Sequence, residues 1–312
     1  MVPVLGSARL RMRRYLPWLV VSLALGSSAT FSLVAHAQNH EEEGEESEKP
    51  SQAPAAPTAS AGAHRPPGAA AVLPVRVPMK DGMVRLAGAT FTMGSSDKKS
   101  APNEQPARRA TVKPFWLDRT EVTVGAYRNC VDRKACPAPK DVSVQCTYRL
   151  GDADLPINCV RFVDAEAYCR FVAKRLPREA EWEYAARGTH AIRYPWGTGA
   201  TSCVTAATLR SEASGRTCTG DRPAKVGTHG TGASPFGILD LAGNVEEWVE
   251  DFYAESLKVG APPSGASHVL RGGSWLLPPS FARTTARNWG SAAEAGPSVG
   301  FRCARDEGWG AP

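Results

Sequence analysis

The chain is 312 residues long, 42% hydrophobic and 22% charged, with a formal net charge of +6. That apolar content suffices for a globular domain. Four arginines fall in the first 37 residues, leaving 33 basic against 31 acidic side chains beyond them; so small a surplus argues against a nucleic-acid partner.

Arg9, Arg11, Arg13 and Arg14, the largely apolar stretch 16–34 and the small-x-small triplet Ala35-His36-Ala37 have the layout of a signal peptide over residues 1–37. The expectation is an extracytoplasmic protein, periplasmic or secreted, with no membrane span after cleavage. An uncleaved anchor is the alternative, and Ser22, Gly26, Ser27, Ser28 and Thr30 dilute the run it needs. Residues 38–79 begin with six glutamates and continue in Pro, Ala, Ser and Gly without periodicity, which reads as a solvated linker. The folded domain is then 80–312. All eight cysteines lie in it, and an even count in an exported chain reads as four disulfides, with about 105 pairings open.

Within the domain, 83–86 and 90–93 alternate around Ala87-Gly88-Ala89 as a hairpin would, and 110–112 with 115–117 suggest a second pair broken by Pro114. Thr120 or Thr123 caps a short helix bearing Val124, Tyr127 and Val131. Residues 136–151 are irregular and cysteine-bearing. Asp164 caps a helix over 165–174, and Pro177 opens another, with Glu179 and Glu181 in its first turns and Gly188 at its end. Trp182, Ala185 and Ala186 form its buried stripe. The chain then turns loop-rich through Tyr194-Pro195-Trp196-Gly197, Cys203 and Cys218.

Two later strings carry the candidate chemistry. In 240–248, Asp240 and Glu247 flank Gly243-Asn244, so carboxylate and carbonyl oxygens can converge on a hard cation. The competing reading, which spacing alone favours, is a helix N-terminus capped by Asn244. In Arg271-Gly272-Gly273-Ser274-Trp275, a double glycine inside a strand-like run demands a bend or a close approach, as the floor of a site does. Ser274 lacks a His-Asp pair, His229 and His268 lack metal-ligand spacing, and 227–232 lacks the Lys of a phosphate loop.

Taken in order, RLPREAEWEYAARG, YPWG, PFGILDLAGNVEEW, RGGSW and GFRCA resemble the formylglycine-generating enzyme, or sulfatase-modifying factor, family over about 83–304. The resemblance implies an α+β domain with little regular secondary structure and a C-type-lectin-like fold. It implies a Cys169–Cys303 disulfide; proximity suggests Cys203–Cys218 and leaves the pairing of Cys130, Cys136, Cys146 and Cys159 open, with Cys130–Cys136 and Cys146–Cys159 one choice. It also implies a structural calcium on the side chains of Asp240 and Glu247 and the carbonyls of Gly243 and Val245. A second calcium loop of the family reads Ala206-Ala207-Thr208 here, without its Asn.

The oxidising members of that family hold copper on two cysteines, at positions occupied here by Leu277 and Ala282. Neither side chain can replace a soft thiolate, so copper is not expected. The family's pocket tryptophan is Glu246. The implied function is an exported, non-oxidising binding module whose pocket of Arg271, Ser274, Trp275 and Glu246 takes a peptide, a small molecule or a protein partner. The alternative is an oxidase that converts a sulfatase cysteine to formylglycine through an atypical metal site.

Overall fold

A computed structural model describes residues 78–140, 143–211 and 215–308. The signal-peptide region and nearly all of the linker lie outside the described residues. The strands of the first half are β1 (Met79–Lys80), β2 (Met83–Leu86), β3 (Ala89–Met93), β4 (Arg108–Val112) and β5 (Phe115–Asp118). Helices α1 (Val124–Asp132), α2 (Thr147–Leu150), α3 (Phe162–Phe171) and α4 (Glu179–Arg187) follow. The second half contributes β6 (Leu209–Ser211), β7 (Arg216–Thr217), β8 (Glu246–Phe252), β9 (Ser267–Arg271), β10 (Arg287–Ser291), β11 (Val299–Gly300) and β12 (Ala304–Asp306).

The first strands pair differently from the sequence expectation. β2 does not fold back on β3; β2 pairs with β5 and β3 with β4, and the registers Leu86↔Phe115 and Ala89↔Val112 continue one another. The result is one long antiparallel ribbon, and Ala87-Gly88 is a bend in it rather than a turn. Opposite that bend lies Pro114, which has no N–H to give to the ladder. Gly88 has φ +73°, and a Cβ on it would sit 2.4 Å from the Val112 carbonyl oxygen. The true tight turn comes earlier, at Asp81-Gly82, where two positive φ values (52° and 74°) join β1 to β2.

Helix ends follow local chemistry. Thr123 Oγ1 accepts the Ala126 N–H at 3.2 Å and starts α1. α3 is capped at Arg161, three residues before the expected cap Asp164, because Asp164 sits one turn in and reaches back to the Arg161 N–H (3.2 Å). Glu181 does the same for the Arg178 N–H at 2.8 Å in α4.

The reading of Asn244 as a helix cap is overturned. Asp240, Gly243 and Asn244 all have positive φ (58°, 80° and 63°), and the chain leaves the turn as β8. β8 is interior to a four-stranded sheet of order β10-β9-β8-β11. Its first four residues are buried, with Trp248 in one hydrophobic cluster and Val249 in the other, as expected of a strand covered on both faces. The other four-stranded sheet has the order β1-β2-β5-β12.

The cysteines pair as Cys130–Cys136, Cys146–Cys159, Cys169–Cys303 and Cys203–Cys218, and none is free. Cys169–Cys303 ties α3 to the residue before β12. Four disulfides belong to an oxidising, extracytoplasmic compartment.

Candidate functional site

The double glycine behaves as its sequence suggests. Gly272 and Gly273 have φ +95° and +67°, and a Cβ on Gly273 would lie 2.8 Å from the Phe281 carbonyl carbon. The segment 279–282 packs directly on this bend, so no side chain fits there. Arg271, Ser274 and Trp275, expected to line a pocket, are at most 1% exposed. They hold the bend from beneath. Arg271 donates to Glu183 Oε2 (2.6 Å) and to the carbonyls of Thr284, Thr285 and Ala286, and lies over the Trp182 ring at 5.1 Å. Trp275 Nε1 donates to the Pro297 carbonyl at 3.2 Å.

Sequence reasoning missed the network that Arg271 joins. Glu179, Glu183 and Arg187 stand at i, i+4 and i+8 on α4, and all three are buried. Glu179 takes the Nε–Nη2 edge of the Arg287 guanidinium (2.6 and 3.0 Å), and Glu183 bonds Arg187 (3.0 Å), Arg271 and the Gly94 N–H (2.7 Å). An acid pair at helical spacing is ordinarily a solvated face. The counter-signal was the supply of arginines at 271 and 287.

The turn 240–247 forms a second polar corner. Asp240 Oδ2 accepts the Gly227 N–H at 2.6 Å, and Asn244 Nδ2 donates to Glu121 Oε1 at 3.0 Å. Glu121 Oε2 is buried without a hydrogen-bond partner. Burial and the neighbouring Asp240 push the Glu121 carboxyl well above the usual carboxylate range. Glu247 is differently placed: Arg302 grips its two oxygens (2.7 Å each), and Trp182 Nε1 adds a bond at 2.8 Å. Three carboxylates thus share one guanidinium. Among the described residues no three carboxylate, histidine or cysteine side chains group as a metal cluster; here Glu247 is already neutralised by Arg302, which leaves Asp240 and the orphaned Glu121 oxygen as the acidic donors not held by a cation.

Glu246 faces elsewhere. It lines a cavity of about 220 Å³ with Trp248, Leu270, Asn288 and Trp289 in the walls, while only a closed crevice separates it from the Gly272-Gly273 bend. The residue is 3% exposed, and its carboxylate accepts a bond from Asn288 Nδ2 at 2.8 Å. Burial raises its pKa to about 7. Asn288 and Trp289 carried no sequence signal of their own; they reach the cavity because β10 pairs with β9. A larger cavity of about 540 Å³ lies between the 94–107 loop and the segments after residues 190 and 280. It is lined by hydroxyls and by arginines, of which Arg187 and Arg283 are already bonded to Glu183 and Glu104.

Leu277 and Ala282 differ in setting. Leu277 is half-buried and its carbonyl accepts the Leu209 N–H at 2.9 Å, while Ala282 is wholly buried in a small cluster with Tyr194, Ala206 and Ala242. His268 stacks on Phe162 at 3.4 Å between centroids and bonds the Glu250 carbonyl, as a core histidine does.

Residues 69–307 match the model of the sulfatase-modifying factor enzyme 1-like domain. The formylglycine-generating enzyme of Streptomyces coelicolor is 32% identical over 72% of this chain and 89% of that protein. The mouse protein named inactive C-alpha-formylglycine-generating enzyme 2 is 31% identical over 72% of this chain and 86% of its own length. Among solved structures, PvdO from Pseudomonas aeruginosa superposes with a TM-score of 0.62 at 27% identity, covering 72% of this chain and 94% of that one.

Proposed function

Because this chain belongs to the sulfatase-modifying factor family, we propose that it is a binding module of that family rather than an oxidase. In this reading it is an exported domain whose cavity at Glu246 takes a peptide or small-molecule ligand. One observation carries the proposal. All eight cysteines are committed to disulfides, and the two positions at which the family resemblance places the copper thiolates of the oxidising members are an aliphatic Leu277 and a wholly buried Ala282. Cu(I) is held by soft thiolates, and no thiol remains to supply one. The names of the relatives support the division, since one is a formylglycine-generating enzyme and another an inactive one.

A structural calcium at the 240–247 turn belongs to the same proposal. Its support is the excess of buried carboxylate there, with Asp240, the carbonyls of Gly243 and Val245, and the unpartnered Glu121 Oε2 as the donors at hand. Export through a cleaved signal peptide completes the reading, supported by the composition of residues 1–37 and the four disulfides.

The test supplies purified protein with Cu(I), oxygen and a cysteine-bearing sulfatase peptide and follows the peptide by mass spectrometry. The expected outcome is an unchanged peptide. Stoichiometric copper together with conversion of cysteine to formylglycine would overturn the proposal in favour of an oxidase with an atypical metal site.

A further inference from the structure

The cavity beside Glu246 has a definite charge character. At its floor is a buried carboxylate whose bond is to the neutral Asn288. The next guanidinium along β10, Arg287, is committed to Glu179 through both its Nε and Nη2. At the rim stands a second acid, Glu294, and one wall is Trp289, a large aromatic left 53% exposed. A buried carboxylate without a counter-charge is unfavourable in the free protein, and a ligand that brings the charge relieves that strain. An aromatic face beside it attracts the same sign of charge through its quadrupole.

We infer that this cavity receives a cationic side chain of a peptide, the ammonium of a lysine or the guanidinium of an arginine, with Glu246 as buried counter-ion and Trp289 as aromatic wall. The inference rests on the binding-module reading above and adds its ligand class. Two acids disfavour an anionic group, and a purely apolar group leaves Glu246 without a counter-charge. Size agrees: a cavity of about 220 Å³ holds one side chain and falls below the roughly 300 Å³ at which pockets for drug-sized molecules begin.

The experiment titrates ¹⁵N-labelled protein with three probes: Nα-acetyl-lysine methylamide, its Nε-acetylated neutral form, and Nα-acetyl-glutamate methylamide. The indole N–H of Trp289, assigned through Trp289→Ala, reports contact. The lysine probe is expected to shift that resonance and the other two are not. Glu246→Gln keeps an acceptor for Asn288, so the fold is retained while the counter-charge is lost. That variant should bind the lysine probe about 10- to 100-fold more weakly. If the charged and acetylated lysines bind alike and Glu246→Gln weakens neither, the cationic class is refuted while the cavity remains a binding site. If no probe moves the Trp289 resonance, the binding-module reading itself falls.

Discussion

Arg271→Ala probes the buried network that holds the double-glycine bend. The substitution removes a guanidinium with 1% residue exposure, its 2.6 Å bond to Glu183 and three bonds to the carbonyls of 284–286. Breaking a buried ion pair by deleting one partner destabilises by about 3–5 kcal/mol. Each carbonyl left unpaired adds to this, at roughly 1–3 kcal/mol for a fully buried group. Glu183 still keeps Arg187 and the Gly94 N–H, so its charge is not stranded and the ion-pair cost falls below that figure, but the three unpaired carbonyls keep the expected loss at about 3 kcal/mol or more. Arg271→Lys keeps the charge but cannot reach a carboxylate and three carbonyls at once, so an intermediate loss is expected. Urea unfolding of the disulfide-intact protein reads both, with the m-value unchanged. Combining Arg271→Ala with Glu183→Gln should be less than additive, because the two residues share one bond. An Arg271→Ala midpoint within about 1 kcal/mol of wild type would refute the supporting role and return this arginine to the ligand-binding surface.

The other expectations follow from single sites. Gly273→Ala forces a side chain to φ +67° and a Cβ against the backbone of Phe281, so urea unfolding should show a loss of at least about 2 kcal/mol; a neutral result contradicts the close packing. Asp251 has its pKa raised from the ordinary 3.8 to about 6, first by burial, so its stabilising contribution is present below pH 3.8 and is lost as pH rises through 6. Asp251→Asn, which still accepts the Glu179 N–H, should therefore match wild type near pH 4 and exceed it at pH 7 by up to about 3 kcal/mol; parallel stability profiles would refute this. Calcium at about 100 times its dissociation constant should stabilise the domain by about 2.7 kcal/mol, read as a raised Tm that chelator reverses and Glu121→Gln diminishes; an unchanged Tm removes calcium from the account.

How far the sequence could be read is clearest at particular residues. Period-two alternation located the strands on either side of Gly88 and Pro114, because alternate burial is a local property. It could not tell a hairpin from one bent ribbon, since Ala87-Gly88-Ala89 serves as a turn in one and a kink in the other, and the partner strand decides. Asp81-Gly82 was a legible turn signal that the longer alternation overshadowed. Asp164 and Glu181 were legible as N-terminal acids, with the true cap of α3, Arg161, three residues earlier than the cap assignment.

The turn at 240–244 went the other way. Asn244 suits a helix cap, and only its positive φ, fixed by contacts to Ala207, Glu121 and Trp275, sends the chain into β8. The buried acids of α4 were unreadable from spacing because their partners lie 88 and 108 residues away. Glu246 was marked as a pocket residue through resemblance alone, and its cavity partners Asn288 and Trp289 emerge from the pairing of β10 with β9.

The absence of copper-binding thiols is the centre of the account, and one paired measurement addresses it. Thiols are counted in denaturant without reductant, and the native protein is challenged with Cu(I) against a competing chelator. The account predicts no reactive thiol among the eight cysteines and no copper retained. Two free thiols per chain together with one firmly held copper would contradict it.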